Sequence, residues 1–206
     1  MALHVVKHPV VEDVMTRLRD ERTPPGEFRR LARRVSLLLT AEATRDLPLE
    51  DVEVVTPLEK TGTKQLASRV VAVPVLRAGL GMLDAFLELV PRAEVGYFGL
   101  ERNEETAEPR RYYEKVPEKL GAAVVFLLDP MLATGGSATL ALDGLKDLGA
   151  ERIRLLSIVA APEGVAQIEK AVPDASVYTA ALDRELNDKK YILPGLGDFG
   201  DRLYGT

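Results

Sequence analysis

Ala122-Ala123-Val124-Val125-Phe126-Leu127-Leu128-Asp129-Pro130-Met131-Leu132-Ala133-Thr134-Gly135-Gly136-Ser137 runs from an apolar stretch through a loop of small residues. Its first seven residues predict a buried strand. Asp129 stands at the carboxyl end of that strand, where open α/β sheets bind ligands. Pro130 biases Asp129 towards extended backbone and away from helix. The loop then opens a helix, predicted over Ala138 to Leu148. A helix N-terminus leaves N–H groups without acceptors at the positive end of the dipole, which together make a phosphate site. Gly135 and Gly136 allow the backbone close to phosphate oxygens, and Thr134, Ser137 and Thr139 add hydroxyl donors. No Lys follows the glycines, and the Gly-x-Gly-x-x-Gly spacing is missing, so neither a Walker loop nor a dinucleotide fingerprint is present.

Similar apolar runs lie on both sides of this segment. They are Val70 to Leu76, Val95 to Leu100, Ile153 to Ala160 and Ser176 to Leu182. Helical spacing falls between them, over Leu80 to Val90 and Gly164 to Ala171. Strands apolar on both faces that alternate with helices predict a parallel sheet covered on both sides. The runs recur roughly every 25–30 residues, which suits βαβ units. Two helices precede them, over Val10 to Arg19 and Phe28 to Ala43. Val52 to Thr56 alternates, and Lys60-Thr61-Gly62-Thr63 reads as a turn, so a hairpin is expected there. Glu101 to Leu120 is polar and aperiodic, the mark of a lid or binding loop. Tyr191 to Thr206 is rich in glycine and reads as irregular.

The chain has 206 residues, which at roughly 100–200 residues per domain means one domain. Lys and Arg number 27 and Asp and Glu 32, for a net charge of −5. An acidic domain is poorly suited to gripping nucleic acid over a broad face. Cysteine is absent, and His4 and His8 are the only histidines. Disulfides, thiolate sites, a multi-His zinc site and a His-based triad in the body of the chain are therefore excluded. No apolar run approaches the roughly 18 residues of a membrane span. The start reaches charge too early for a secretory signal. A soluble cytoplasmic protein is expected, with neither nucleic acid nor membrane as partner.

A second segment repeats the strand-loop-helix logic. Val70 to Leu76 ends at Arg77-Ala78-Gly79-Leu80-Gly81. A guanidinium and glycine-exposed N–H groups at one strand end suit a diphosphate.

Asp129 to Ser137 resembles the phosphoribosyl-diphosphate (PRPP) loop of type I phosphoribosyltransferases, in the form carried by the uracil phosphoribosyltransferases. The likeness continues through Thr56-Pro57-Leu58-Glu59, Pro74 to Met82, Arg102-Asn103-Glu104-Glu105-Thr106 and Tyr191 to Thr206. Most type I members begin this loop with two acidic residues, whereas Leu128-Asp129 supplies one carboxylate. The resemblance implies a type I phosphoribosyltransferase fold in a single domain, 1–206. Its core would be a parallel twisted sheet flanked by helices, over about 60–175, with a small hood from 1–45 and 176–206. It implies conversion of uracil and PRPP to UMP and pyrophosphate, a pentosyl transfer of pyrimidine salvage. The rivals are another base, or a regulator that senses PRPP or nucleotide without turnover.

The resemblance also implies the site. PRPP is bound by Arg77, Arg102, Asp129, Pro130, Met131, Leu132, Ala133, Thr134, Gly135, Gly136, Ser137 and Asp198, with Arg77, Arg102 and Asp129 as catalytic residues. Uracil is bound by Ile192, Gly197, Asp198 and Phe199, with backbone groups matching its acceptor-donor-acceptor edge. Phe199 either stacks on the base or packs in the core. Mg²⁺ is the cofactor, held by PRPP and water with Asp198 nearby and no direct protein ligand. A homodimer or larger homo-oligomer is expected. GTP activation occurs in part of the family, which makes GTP a candidate effector. The basic row Arg29-Arg30-Leu31-Ala32-Arg33-Arg34 is an effector site, a dimer contact or a solvated helix face.

Overall fold

A computed structural model describes residues 1–102 and 109–206, with Arg102 and Pro109 as backbone only. The strands are β1 (Ala2–Val5), β2 (Leu49–Val55), β3 (Lys60–Leu66), β4 (Val70–Leu76), β5 (Glu94–Val95), β6 (Tyr97–Arg102), β7 (Pro109–Lys115), β8 (Val124–Leu128), β9 (Met131–Leu132), β10 (Arg152–Ala160), β11 (Ser176–Leu182), β12 (Glu185–Leu186) and β13 (Ile192–Leu193). The helices are α1 (Pro9–Arg19), α2 (Pro25–Ala43), α3 (Leu80–Leu89), α4 (Gly136–Asp147), α5 (Pro162–Ala171) and α6 (Phe199–Tyr204).

The main sheet runs β1-β11-β10-β8-β4-β6-β7, with β5 beside β4 and β9 beside β10. All its pairs are parallel except β6 with β7. Alternate residues of one strand serve opposite faces. Val70 and Ala72 of β4, with Val124, Phe126 and Leu128 of β8, pack under α1, α2 and α3. Val71, Val73 and Val75, with Val125 and Leu127, pack under α4 and α5. Central strands with a helix layer on each side have no polar face, which is why they read as unbroken apolar runs. Proline at the first turn starts α1, α2 and α5 where a helix has no use for the N–H.

Several expectations shift. β1 and β11 are sheet strands, so the sheet reaches beyond 60–175 and the hood is smaller than 1–45 plus 176–206. Lys60 to Thr63 lies within β3, and the hairpin turns at 56–59, where the Thr56 hydroxyl accepts from the N–H groups of Leu58 and Glu59. The polar stretch after Glu101 contains β7, which pairs antiparallel with β6 and forms the edge of the main sheet. The glycine-rich tail contains β13 and α6, the latter capped by Asp198, whose Oδ1 accepts from the Asp201 N–H at 2.9 Å. Among the described residues, no helix is long and apolar enough to cross a membrane.

Candidate active site

Strands β4 and β8 are neighbours, but the chain leaves β4 towards β6 and leaves β8 towards β10. The two connections diverge and open a crevice at the carboxyl ends of the strands. A cavity of about 500 Å³ occupies that crevice. The β4–α3 loop, the β8–α4 loop and the segment before α6 form its walls.

The β8–α4 loop is pinned from below by β10. The Asp129 N–H donates to Leu156 O at 3.1 Å, the Ser157 hydroxyl donates to Asp129 O at 2.6 Å, and Pro130 O accepts from Ile158 and Val159, both at 3.0 Å. The Asp129 carboxylate lines the cavity and accepts from the Met131 N–H at 3.4 Å. Gly135 has φ +80°, a left-handed value that glycine adopts without penalty, and from it the chain enters α4 with no side-chain cap. The N–H groups of Ser137 and Ala138 have no intrahelical acceptor, as in any first helical turn, and both residues line the cavity. One turn further in, the Thr139 hydroxyl is buried with no hydrogen-bond partner among the described residues.

On the β4 side, Leu76 and Ala78 line the cavity, whereas Arg77 between them is exposed and is not among its lining residues. The Arg77 guanidinium lies 5.9 Å from the Tyr204 ring centroid, and the Tyr204 hydroxyl donates to Arg77 O at 3.3 Å. Arg102 ends β6 through its backbone; its side chain, and residues 103–106, lie outside the described residues. The opposite wall carries Ile192, Gly197, Asp198 and Phe199. Phe199 is only 2% exposed and meets Phe28 edge-on at 5.2 Å, so its ring also belongs to the core under the hood.

Of the residues singled out in sequence, Asp129, the run 131–137, Ile192, Gly197, Asp198 and Phe199 all line the one cavity. Pro130 is buried just beneath it. Lys189 and Lys190, which the sequence reading passed over, also line it, as do Glu101 at the start of the expected lid and Tyr191 at the start of the glycine-rich tail. Lys189-Lys190 is the only pair of adjacent lysines in the chain, and it places two cations at the crevice.

A sequence profile of the family described as uracil phosphoribosyltransferase matches residues 5–206. A uracil phosphoribosyltransferase of Streptococcus equi subsp. zooepidemicus is 54% identical over 203 residues, covering 98% of this chain and 97% of that protein. The Streptococcus uberis protein of the same name is 53% identical over the same length and coverage. In three dimensions the chain is similar to the AQ2163 protein from Aquifex aeolicus, with a TM-score of 0.95, 38% identity and coverage of 99% and 98% of the two chains. A hypoxanthine phosphoribosyltransferase from Staphylococcus aureus shares the fold alone, at a TM-score of 0.53 and 10% identity over 80% of this chain and 83% of that one. A profile match over nearly the whole length, beside relatives more than half identical, places this chain in the uracil phosphoribosyltransferase family.

Proposed function

We propose that this chain joins uracil to the ribosyl carbon of PRPP, releasing pyrophosphate and forming UMP. Uracil N1 bonds to the anomeric carbon, the bond from that carbon to pyrophosphate breaks, and the N1 proton is lost. One observation carries the reading. The uncapped start of α4 and the backbone-rich run of Ile192 and 197–199 face each other across a single cavity, one wall suited to phosphate and the other to a flat base. In this reading Thr134 to Ser137 hold the 5′-phosphate, Asp129 lies by the ribose, and Arg77 and Arg102 meet the leaving diphosphate. Ile192, Gly197, Asp198 and Phe199 receive the base. Catalysis then rests on positioning and on charge stabilisation of the leaving group.

Mg²⁺ is the proposed cofactor. This ion keeps several waters and binds through few carboxylates together with substrate phosphates. Asp129 and Asp198 both line the cavity, and no group of three or more His, Cys, Asp or Glu side chains forms a metal cage among the described residues. That set fits an ion shared with the diphosphate, where it would neutralise charge on the departing group. Asp198 is the side chain suited to hold its water shell.

A cytoplasmic homo-oligomer completes the proposal. The β2–β3 hairpin is a two-stranded sheet of its own, and it exposes Leu49, Val55, Leu58 and Leu66. Isolated hairpins are marginal in water, and a second copy of the chain is the proposed cover. GTP is the proposed effector at the α2 arginines. The exposed Arg30 and Arg33 are paired with Glu27 and Glu88, and surface pairs of this kind yield readily to a polyanion.

The test is a steady-state assay of pyrophosphate release with Mg²⁺ and PRPP. Uracil, cytosine, orotate, hypoxanthine and adenine are offered separately, each with and without GTP. Release with uracil alone supports the reading. Release with a different base would leave the phosphate wall standing and discard the base wall, and PRPP binding without release would mark a sensor.

A further inference from the structure

The run that receives the base is held from outside by two arginines that never reach the cavity. Arg19, the last residue of α1, forms a bidentate pair with Asp183, at 2.6 Å and 2.8 Å. The Asp183 side chain is 5% exposed and that of Arg19 27%, so this pair is shielded from solvent far better than the surface pairs on α2. Asp183 follows β11 directly, and its own N–H is tied to Ala160 O at 2.8 Å, so the carboxylate is anchored on the main sheet. The pair then captures Gly195 at both polar groups. The Gly195 N–H donates to Asp183 Oδ2 at 2.8 Å, and Gly195 O accepts from the Arg19 guanidinium at 2.7 Å.

Arg202 takes the next peptide. Its guanidinium donates to Leu196 O at 2.8 Å and to Asp20 O at 2.6 Å, and also bonds Leu18 O. It lies 4.5 Å from the centre of the Phe28 ring, and Phe28 in turn packs on Phe199. Burial lowers the pKa of Arg202, which nonetheless stays a cation at neutral pH. Two consecutive carbonyls, Gly195 O and Leu196 O, are thus claimed on the α1 side. What remains of the run for the cavity is Ile192 before them and 197–199 after them.

We infer that the Arg19–Asp183 pair and Arg202 are positioning residues that set the hydrogen-bonding edge offered to the base. Charge-assisted hydrogen bonds in fixed fork geometry determine orientation as well as energy. A base read through backbone groups depends on how those groups are aimed, because no side chain can swing to compensate. The inference rests on the base wall proposed above. The phosphate wall, 131–137, is built from a different part of the chain, and of the base run only Asp198 also serves the diphosphate side, so binding of uracil responds more than binding of PRPP.

The test compares KM for uracil, KM for PRPP and kcat in Arg19→Ala, Arg19→Lys, Asp183→Ala, Asp183→Asn, the Arg19→Ala/Asp183→Ala double variant and Arg202→Ala. Loss of a charge-assisted contact of this kind corresponds to about a 10- to 100-fold rise in KM for uracil in Asp183→Ala and Arg202→Ala. KM for PRPP is expected to rise far less, because only Asp198 of the displaced run meets PRPP. Asp183→Asn keeps an acceptor for the Gly195 N–H and Arg19→Lys keeps one donor, so both recover part of the loss. They also keep the test alive should an alanine variant fail to fold. The double variant is expected to lose less than the product of its single losses, because the two residues act as one unit. KM for uracil unmoved in the folded variants, or KM for uracil and PRPP rising by the same factor, would overturn the inference alone. A wild-type protein inactive with uracil would overturn it together with the base wall.

Discussion

A Cβ placed on Gly79 would stand 2.4 Å from the carbonyl oxygen of Leu128. This contact joins the loop after β4 to the end of β8, and so sets the width of the crevice between them. It also explains why a residue without a side chain follows Arg77 and Ala78. Gly79→Ala must push backbone against backbone, because the carbonyl has no flexible end to move aside. We expect a loss of about 2 kcal/mol in denaturant unfolding, within the usual range for overpacking. Catalytic efficiency should fall with it, since Leu76 and Ala78 line the cavity. A variant with wild-type stability and rate would mean that this contact does not set the crevice.

Thr139 offers the opposite kind of test. Its buried hydroxyl finds no partner among the described residues, so it costs the folded chain rather than stabilising it. Thr139→Val keeps the shape and removes the polar atom. We expect a thermal midpoint equal to or slightly above wild type in the absence of ligand. If the hydroxyl serves the 5′-phosphate, affinity for PRPP falls by about 5- to 10-fold, the value of one ordinary hydrogen bond. Titration calorimetry with PRPP reads the second effect directly, and unchanged affinity would remove Thr139 from the phosphate wall.

Arg77 is exposed and rests on Tyr204, so the fold owes it little. Arg77→Ala should melt within a few degrees of wild type. Turnover should nevertheless fall by roughly 100-fold or more, the usual loss when a donor to developing negative charge is removed. Arg77→Lys is expected to recover only part of this, because an ammonium cannot engage a diphosphate in bidentate fashion. Equal rates in Arg77→Ala and wild type would take the residue out of the reaction.

Much of this architecture was legible from two patterns. Val124 to Leu128 and Val70 to Leu76 are apolar on both faces, which only a sheet covered on both sides can use. The loop 131–137 stands out through glycine and hydroxyl residues in order, and it lines the cavity. What sequence could not show depends on distant contacts. β7 is polar and gains its strand state by pairing with β6 at a sheet edge, so no apolar pattern marks it. α6 spans six residues with a glycine second, too short to show a period, and it forms because Phe199 and Leu203 are buried under the hood. The Arg19–Asp183 pair joins residues 164 positions apart, and each alone looks like one more surface charge.

The carboxylates predict the acid limb of stability. The Arg154 guanidinium hydrogen-bonded to Asp46 holds that carboxyl below its usual range, and Arg69 does the same for Glu94. The Leu186 N–H lowers Glu163 and ties β12 to the start of α5. A carboxyl depressed on folding contributes stability above its unfolded pKa and loses it as pH falls through the folded value. The thermal midpoint should therefore be level from pH 7 to about 5 and drop below about pH 4. All three groups are near the surface, so each increment is small. Asp46→Asn cannot titrate and should show a shallower acid limb, and an identical limb would exclude Asp46 as a contributor.

The proposed oligomer contact lies at the hairpin. Leu58 at its turn is 94% exposed and Val55 beside it 74%, on a hairpin that among the described residues forms a two-stranded sheet of its own. Such a surface is costly to leave in water, and a second copy offers the simplest cover. Wild-type protein should sediment as a dimer or larger species. Leu58→Asp and Val55→Asp each place a charge where the apolar contact must form, and they are expected to shift the population towards monomer. Circular dichroism should stay unchanged, because neither side chain belongs to the core. The melting temperature of wild type should rise with protein concentration, and that of the variants should not, since only an associating chain gains stability by mass action. A wild-type monomer, or variants that sediment like wild type, would remove the hairpin from the proposed interface.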